Sequence, residues 1–182
     1  MNPATAAALD QQPVPTPAKT AAEPRMLGLR IVLILMGLME ALDGFPSVST
    51  LFEDMSQIPG PGFGGFLIKA HLATHPVLAT AVIVLAAIGR VRAAIIALAA
   101  IVIMTWLNYM PSVVLHGLDF KGTSAVETPL RIVAFPLMAV CAIAYAARNQ
   151  RLGLATVLAS LPTLLQWLGI VFFAIGVMIY GF

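Results

Sequence analysis

The sequence predicts an all-α fold: a polytopic transmembrane helical bundle of about five spans, with the N-terminus in the cytoplasm. Three observations carry that expectation. Of the 182 residues, 60% are hydrophobic and only 10% charged, whereas an ordinary soluble domain carries roughly 25% charge. The apolar residues lie in runs that exceed the roughly 10 to 14 residues of a core helix and approach the roughly 20 needed to cross a bilayer. The charged residues cluster at the ends of these runs. The runs do not alternate apolar with polar residues, so helices rather than a β-barrel are required.

Residues 1–25 mix Ala, Pro and a few polar groups without an apolar face, and read as a disordered cytoplasmic arm preceding a single transmembrane domain over 26–182. The first 14 residues hold no Lys or Arg, unlike the basic start of a cleaved signal peptide. The spans are expected near 27–43, 66–88, 92–115, 130–147 and 154–180. Arg30 and Glu40 flank the first, and a loop from Asp43 to Gly65 with three acids and no base follows it. Only GRVR separates the second and third spans, which therefore form a tight antiparallel hairpin. A polar loop from His116 to Pro129 follows, with Pro129 placed to open the fourth helix. RNQR then leads into an uncharged stretch from Leu152 to Phe182. At about 46 Å if helical it exceeds a bilayer core, and is expected to tilt, bend near Pro162 or begin along the interface.

Basic residues set the orientation. Lys19, Arg25 and Arg30, then Arg90 and Arg92, then Arg148 and Arg151 all fall on one side of a five-span chain. By the positive-inside rule that side is the cytoplasm, here of a bacterial inner membrane. The formal net charge of +2 is dispersed among helix ends, so the lipid bilayer is the expected partner and nucleic acid is not. Cys141 stands alone, which excludes an internal disulfide and a CxxC redox pair.

Ionisable residues at membrane depth are costly and point to function. His71 and His75 are four apart, on one helical face, where they suit a metal, a porphyrin or a quinone as well as plain structural hydrogen bonding. The HxxxH pattern lacks the Glu of a zinc protease. Glu40 and Asp43 are three apart near the outer end of the first span, with Lys69 and Arg131 as natural partners. Counting back through the GRVR turn puts Tyr109 near the level of His71, and Asn108 beside it, while His116 falls roughly 10 Å further out. The candidate ligand-binding set is therefore His71, His75, Asp43, Asn108, Tyr109 and His116, for a quinone or haem; the catalytic residues and any metal stay unassigned. Only three His are present, which excludes a centre of two haems with four imidazole ligands. Walker, dinucleotide-binding and GxSxG signatures are absent.

The stretch LRIVLILMGLMEALDGF, with Arg30 and Gly37, followed by HPVLATAVIVLAAIGRVRAAIIALAAIVI, with Gly89 and Arg90 in the turn, resembles the small DoxX/DoxD-like membrane proteins over roughly residues 27–110. The resemblance implies a four-helix bundle and, for some members, a link to quinone-coupled sulfur oxidation. This chain departs from it by a fifth span and a long acidic outer loop. The function expected from the sequence is that of an accessory or structural subunit of a larger membrane complex, respiratory or electron-transferring, or of a homo-oligomer. A quinone- or haem-linked membrane oxidoreductase and a small transporter or channel are the alternatives.

Overall fold

The computed structural model describes residues 22–52 and 62–181. It contains five long helices: α1 (Ala22–Ser47), α2 (Phe63–Ala87), α3 (Val91–His116), α4 (Ser124–Ala147) and α5 (Leu152–Tyr180). A single 3-10 turn, Ser49–Leu51, follows α1, and no strand occurs among the described residues. Helices α2 to α5 are long and apolar enough to cross a membrane, and the chain is a multi-pass membrane protein. Helix α1, with 26 residues, packs along α2 rather than lying apart from the bundle. Helix α3 touches all four of the others.

Several expected boundaries move. Helix α1 begins at Ala22 and runs on to Ser47, so residues 22–25 belong to it and Glu40 lies about two turns inside, not one turn from its end. The rest of the expected arm, and the loop acids Glu53 and Asp54, fall outside the described residues. The loop expected over 116–129 is shorter, because Ser124–Pro129 already forms the first turns of α4.

Pro129 therefore sits within α4, and the next five residues, Leu130–Ala134, adopt a π-turn. Its cause lies in Pro136, which has no N–H to give the carbonyl four residues earlier, that of Ile132. The indole of Trp106 on α3 donates to that carbonyl oxygen instead, at 3.1 Å. Trp106 is thus committed to helix packing and not to an interfacial belt.

The two short connections share one device. In α2–α3, Arg90 N–H reaches Leu85 O at 2.8 Å and Gly89 N–H reaches Ala86 O at 3.0 Å. In α4–α5, Gln150 N–H reaches Tyr145 O at 2.9 Å and Asn149 N–H reaches Ala146 O at 3.1 Å. Both are Schellman endings, with Gly89 and Asn149 at positive φ (81° and 53°). Each is then closed by an arginine from another helix, Arg30 just over two turns into α1 and Arg92 at the start of α3. Arg30 on α1 donates to Ala86 O at 3.0 Å and also to Ala87 O. Arg92 on α3 donates to Ala146 O at 3.0 Å and Ala147 O at 2.7 Å. A guanidinium suits this because its fork serves two final carbonyls at once, at the negative end of the helix dipole. The hairpins α1/α2 and α3/α4 are in this respect built alike.

Small residues let the helices approach. Gly37 is the tightest point of α1 on α2, since a Cβ there would lie 2.8 Å from Ile83 Cγ1. Ala139, Ala142 and Ala146 on α4 and Ala155 and Ala159 on α5 are fully buried at three- and four-residue spacings. The outer half of α5 carries large side chains instead, and Ile170, Val171, Phe172, Phe173 and Met178 are exposed. This half packs only sparsely against the bundle.

Replacing Trp106 with Phe keeps the ring but removes the donor to Ile132, and is expected to cost about 1 kcal/mol. Pro136→Ala returns an N–H to Ile132, so the same Trp106→Phe change should cost less in that background. Thermal unfolding of the four proteins in detergent tests this; an equal cost in both backgrounds refutes the role given to Trp106.

Candidate functional site

Three helices deliver one polar cluster to the interior. Glu40 projects from the face of α1 that also carries Gly37 and Gly44, at helical spacings of three and four. His75 comes from α2, and Thr163 from α5 directly after Pro162. His75 Nε2 lies 2.7 Å from Glu40 Oε2, and the Thr163 hydroxyl donates to Glu40 Oε1 at 2.5 Å. Glu40, His75 and Thr163 are 8%, 4% and 2% exposed, which shields the trio from its surroundings. Gly44 favours the arrangement, because a Cβ at that position would lie 3.3 Å from the His75 ring, close enough to push it by a few tenths of an ångström.

Burying a carboxyl group among apolar helices costs several kcal/mol unless its oxygens find partners. Here both oxygens have one. Depth follows from the helical rise. Glu40 is ten residues along α1 from the Arg30 clamp, and His75 is eleven from its partner Ala86. At 1.5 Å per residue both are about 15 Å from the clamped end, half of a bilayer's roughly 30 Å hydrocarbon core.

His71, one turn further out on α2, sits against His75 with ring centroids 5.0 Å apart and planes tilted by 43°. It is buried, and its Nδ1 has no hydrogen-bond partner among the described residues. Asp43 stands at the outer edge of the cluster, where Gln166 Nε2 of α5 makes a long contact of 3.5 Å to Oδ2.

On the far side of α5 a groove of about 980 Å³ opens between α3, α4 and α5. Val102, Phe135, Leu165, Ile170 and Phe173 form apolar walls, and Asn108, Tyr109, Arg131 and Gln166 give it a polar end. Arg131 pairs with Glu127 on its own helix at 2.5 Å and lies 6.0 Å above the Tyr109 ring. Thr163 and Gln166 line this groove as well, so the same two side chains touch the groove and the acidic cluster.

The six candidate residues therefore divide. Asp43, His71 and His75 meet at the cluster, and Asn108 and Tyr109 face the groove. His116 belongs to neither: it is the exposed last residue of α3, with Nδ1 3.2 Å from Ser112 O of its own helix. The expected pairing of Lys69 and Arg131 with Glu40 and Asp43 is replaced, since His75 occupies Glu40 and Glu127 occupies Arg131. Thr163 and Gln166 were not singled out from sequence. In a 31-residue uncharged stretch they were the polar residues one turn apart beyond Pro162, a signal that means little until α1 is seen beside α5.

Comparison with protein-family models, with curated proteins and with solved structures finds no match to this chain.

His75→Ala leaves Glu40 Oε2 buried without its partner, and should destabilise the protein by roughly 2–4 kcal/mol. The double replacement Glu40→Leu with His75→Leu removes both polar groups and should recover most of that loss. Denaturation in detergent reads both, and a double variant no better than His75→Ala would show that the pair is not what holds α1 to α2.

Proposed function

We propose that this protein binds an amphiphilic quinone in the lateral groove and moves protons between that ligand and the buried Glu40–His75 pair, as a subunit of an electron-transfer assembly. The observation that carries the reading is Thr163, a groove-lining residue whose hydroxyl donates to Glu40 at 2.5 Å. A ligand hydroxyl that reaches this oxygen gives up its proton there as Thr163 passes its own to the carboxylate, so one side chain links ligand to carboxylate.

The groove has the chemistry this ligand needs. Its volume falls within the range of about 300–1,000 Å³ common for small-molecule sites, which pair apolar walls with a few polar groups. Asn108, Tyr109, Arg131 and Gln166 offer donors for ring carbonyl oxygens, while Leu165, Ile170 and Phe173 suit an isoprenoid tail. Electrons would come from or pass to a partner protein, in keeping with the expected place in a larger complex. The DoxX/DoxD resemblance agrees with a quinone. Transport is the weaker reading, because toward the clamped end Leu33, Val82, Ile95 and Leu98 close the core with no exposed surface.

The proposal includes the orientation read from the basic residues: a bacterial inner membrane with the clamped turns in the cytoplasm and the α3–α4 loop outside. A Leu118→Cys reporter in a Cys141→Ala background should react with an impermeant maleimide in intact spheroplasts; reaction only after lysis would reverse the topology.

A photoactivatable short-chain quinone should label the α3 and α5 walls of the groove. Gly169 lines the groove with open space beside it, so Gly169→Trp should fill the site and cut labelling by about tenfold or more, a loss of roughly 1.4 kcal/mol of binding. Labelling that maps elsewhere, or survives Gly169→Trp unchanged, overturns the quinone reading.

A further inference from the structure

We propose that Glu40, Asp43 and His75, with His71 as a fourth ligand, form a binding site for a divalent first-row transition-metal ion. The inference goes beyond the quinone reading and does not rest on it.

Geometry supplies the first argument. One ligand atom from each of Glu40, Asp43 and His75 lies within 4.8 Å of the other two. Around a tetrahedral ion held at about 2.0–2.2 Å from each donor, ligand atoms stand roughly 3.4 Å apart. Glu40 Oε2 and His75 Nε2, at 2.7 Å, are already inside that spacing, and an ion would take the place of the proton they share. Asp43 is the ligand that must close in. Among the described residues its side chain makes one hydrogen bond, the long contact to Gln166, so little there holds it back.

The second argument is independent of the carboxylates. His71 is 8% exposed, and its Nδ1 is buried without a partner among the described residues. A buried imidazole nitrogen left unsatisfied costs free energy that a ligand bond would offset. Its ring stands 5.0 Å from that of His75 on the same face of α2; its nitrogens lie outside the 4.8 Å spacing that Glu40, Asp43 and His75 share, so His71, like Asp43, must close in to ligate.

The surroundings fit as well. Thr163 fixes the Glu40 carboxylate through Oε1 and leaves Oε2 turned toward His75, which is how an outer hydrogen bond orients a ligating carboxylate. Two imidazoles and two carboxylates favour Mn(II), Fe(II), Co(II) or Zn(II). All-oxygen sites suit Mg(II) and Ca(II), and soft thiolates or thioethers suit Cu(I).

The test uses the full chain, purified in detergent without a polyhistidine tag, stripped with chelator and dialysed against Co(II) or Zn(II). Elemental analysis should find one ion per chain, and Co(II) should show the visible bands of a low-coordinate nitrogen and oxygen site. Asp43→Asn and His75→Gln should each weaken binding by at least about tenfold, the scale at which even outer hydrogen bonds matter to metal sites. His116→Gln, at an exposed helix end, should leave binding unchanged. Asp43→Asn spares the Glu40–His75–Thr163 bonds, so circular dichroism of that variant should match the parent and separates lost ligation from lost fold. Sub-stoichiometric binding, or binding indifferent to Asp43→Asn, overturns the site. Binding indifferent to His71→Gln removes His71 as the fourth ligand. Gly169→Trp should retain the ion, which keeps failure here distinct from failure of the quinone reading.

Discussion

The carboxyl group of Glu40 is the constraint on which the rest of the bundle depends. It is carried about 15 Å from the clamped end of α1, in surroundings that otherwise hold Leu33, Met36, Ala79 and Val82. Neither oxygen can be left without a partner there, and the two donors come from different helices, α2 and α5. One side chain thus fixes three helices relative to one another. It also explains the glycines of α1, since a close approach of α1 to α2 is needed before His75 can reach Glu40, and Gly37 and Gly44 are where that approach is tightest.

The same demand acts on the backbone. In a bilayer an unpaired carbonyl has no water to turn to. Five carbonyl oxygens receive a side-chain donor from another helix: two at the end of each of α2 and α4 from arginines of α1 and α3, and one at the Pro136 gap from the indole of Trp106. Each repair crosses between helices, so each adds a directional tie to a contact that small residues alone would leave free to slide. Prolines within α2 and α5, at 76 and 162, flank the Glu40 level, and beyond the second of them α5 is largely exposed and lines the groove with Leu165, Ile170 and Phe173.

Two features with different chemistry therefore meet on α5. Thr163 and Gln166, three apart on one face of the helix, touch the carboxylate and imidazole cluster and also line the apolar groove. A ligand in the groove and a proton or ion in the cluster would be separated by a single hydroxyl. The quinone and metal proposals draw on this one juxtaposition and share Glu40 and His75; the groove residues belong to the first alone, and Asp43 and His71 to the second alone.

Composition and run length determined the all-helical class and the presence of helices able to cross a membrane, four of them among the described residues, because the bilayer imposes a length and a polarity that local sequence must satisfy by itself. The GRVR and RNQR turns were equally legible, since so few residues permit only a hairpin. His71 and His75 were readable as a pair from their spacing along one helix. What tertiary structure alone decided was the partner of each. Glu40 meets His75 across 35 residues and Thr163 across 123, and no helical period relates such positions. Counting through a turn gave Asn108 and Tyr109 the depth of the histidines but not their direction, so they face the groove; His116 was a candidate by residue type and is a helix end by position. The extension of α1 past Asp43 and the early start of α4 were hidden for another reason: Ser47, Glu127 and Thr128 read as loop from their polarity, and the bonds they make, within their own helix or to the adjoining loop, appear only in the folded chain.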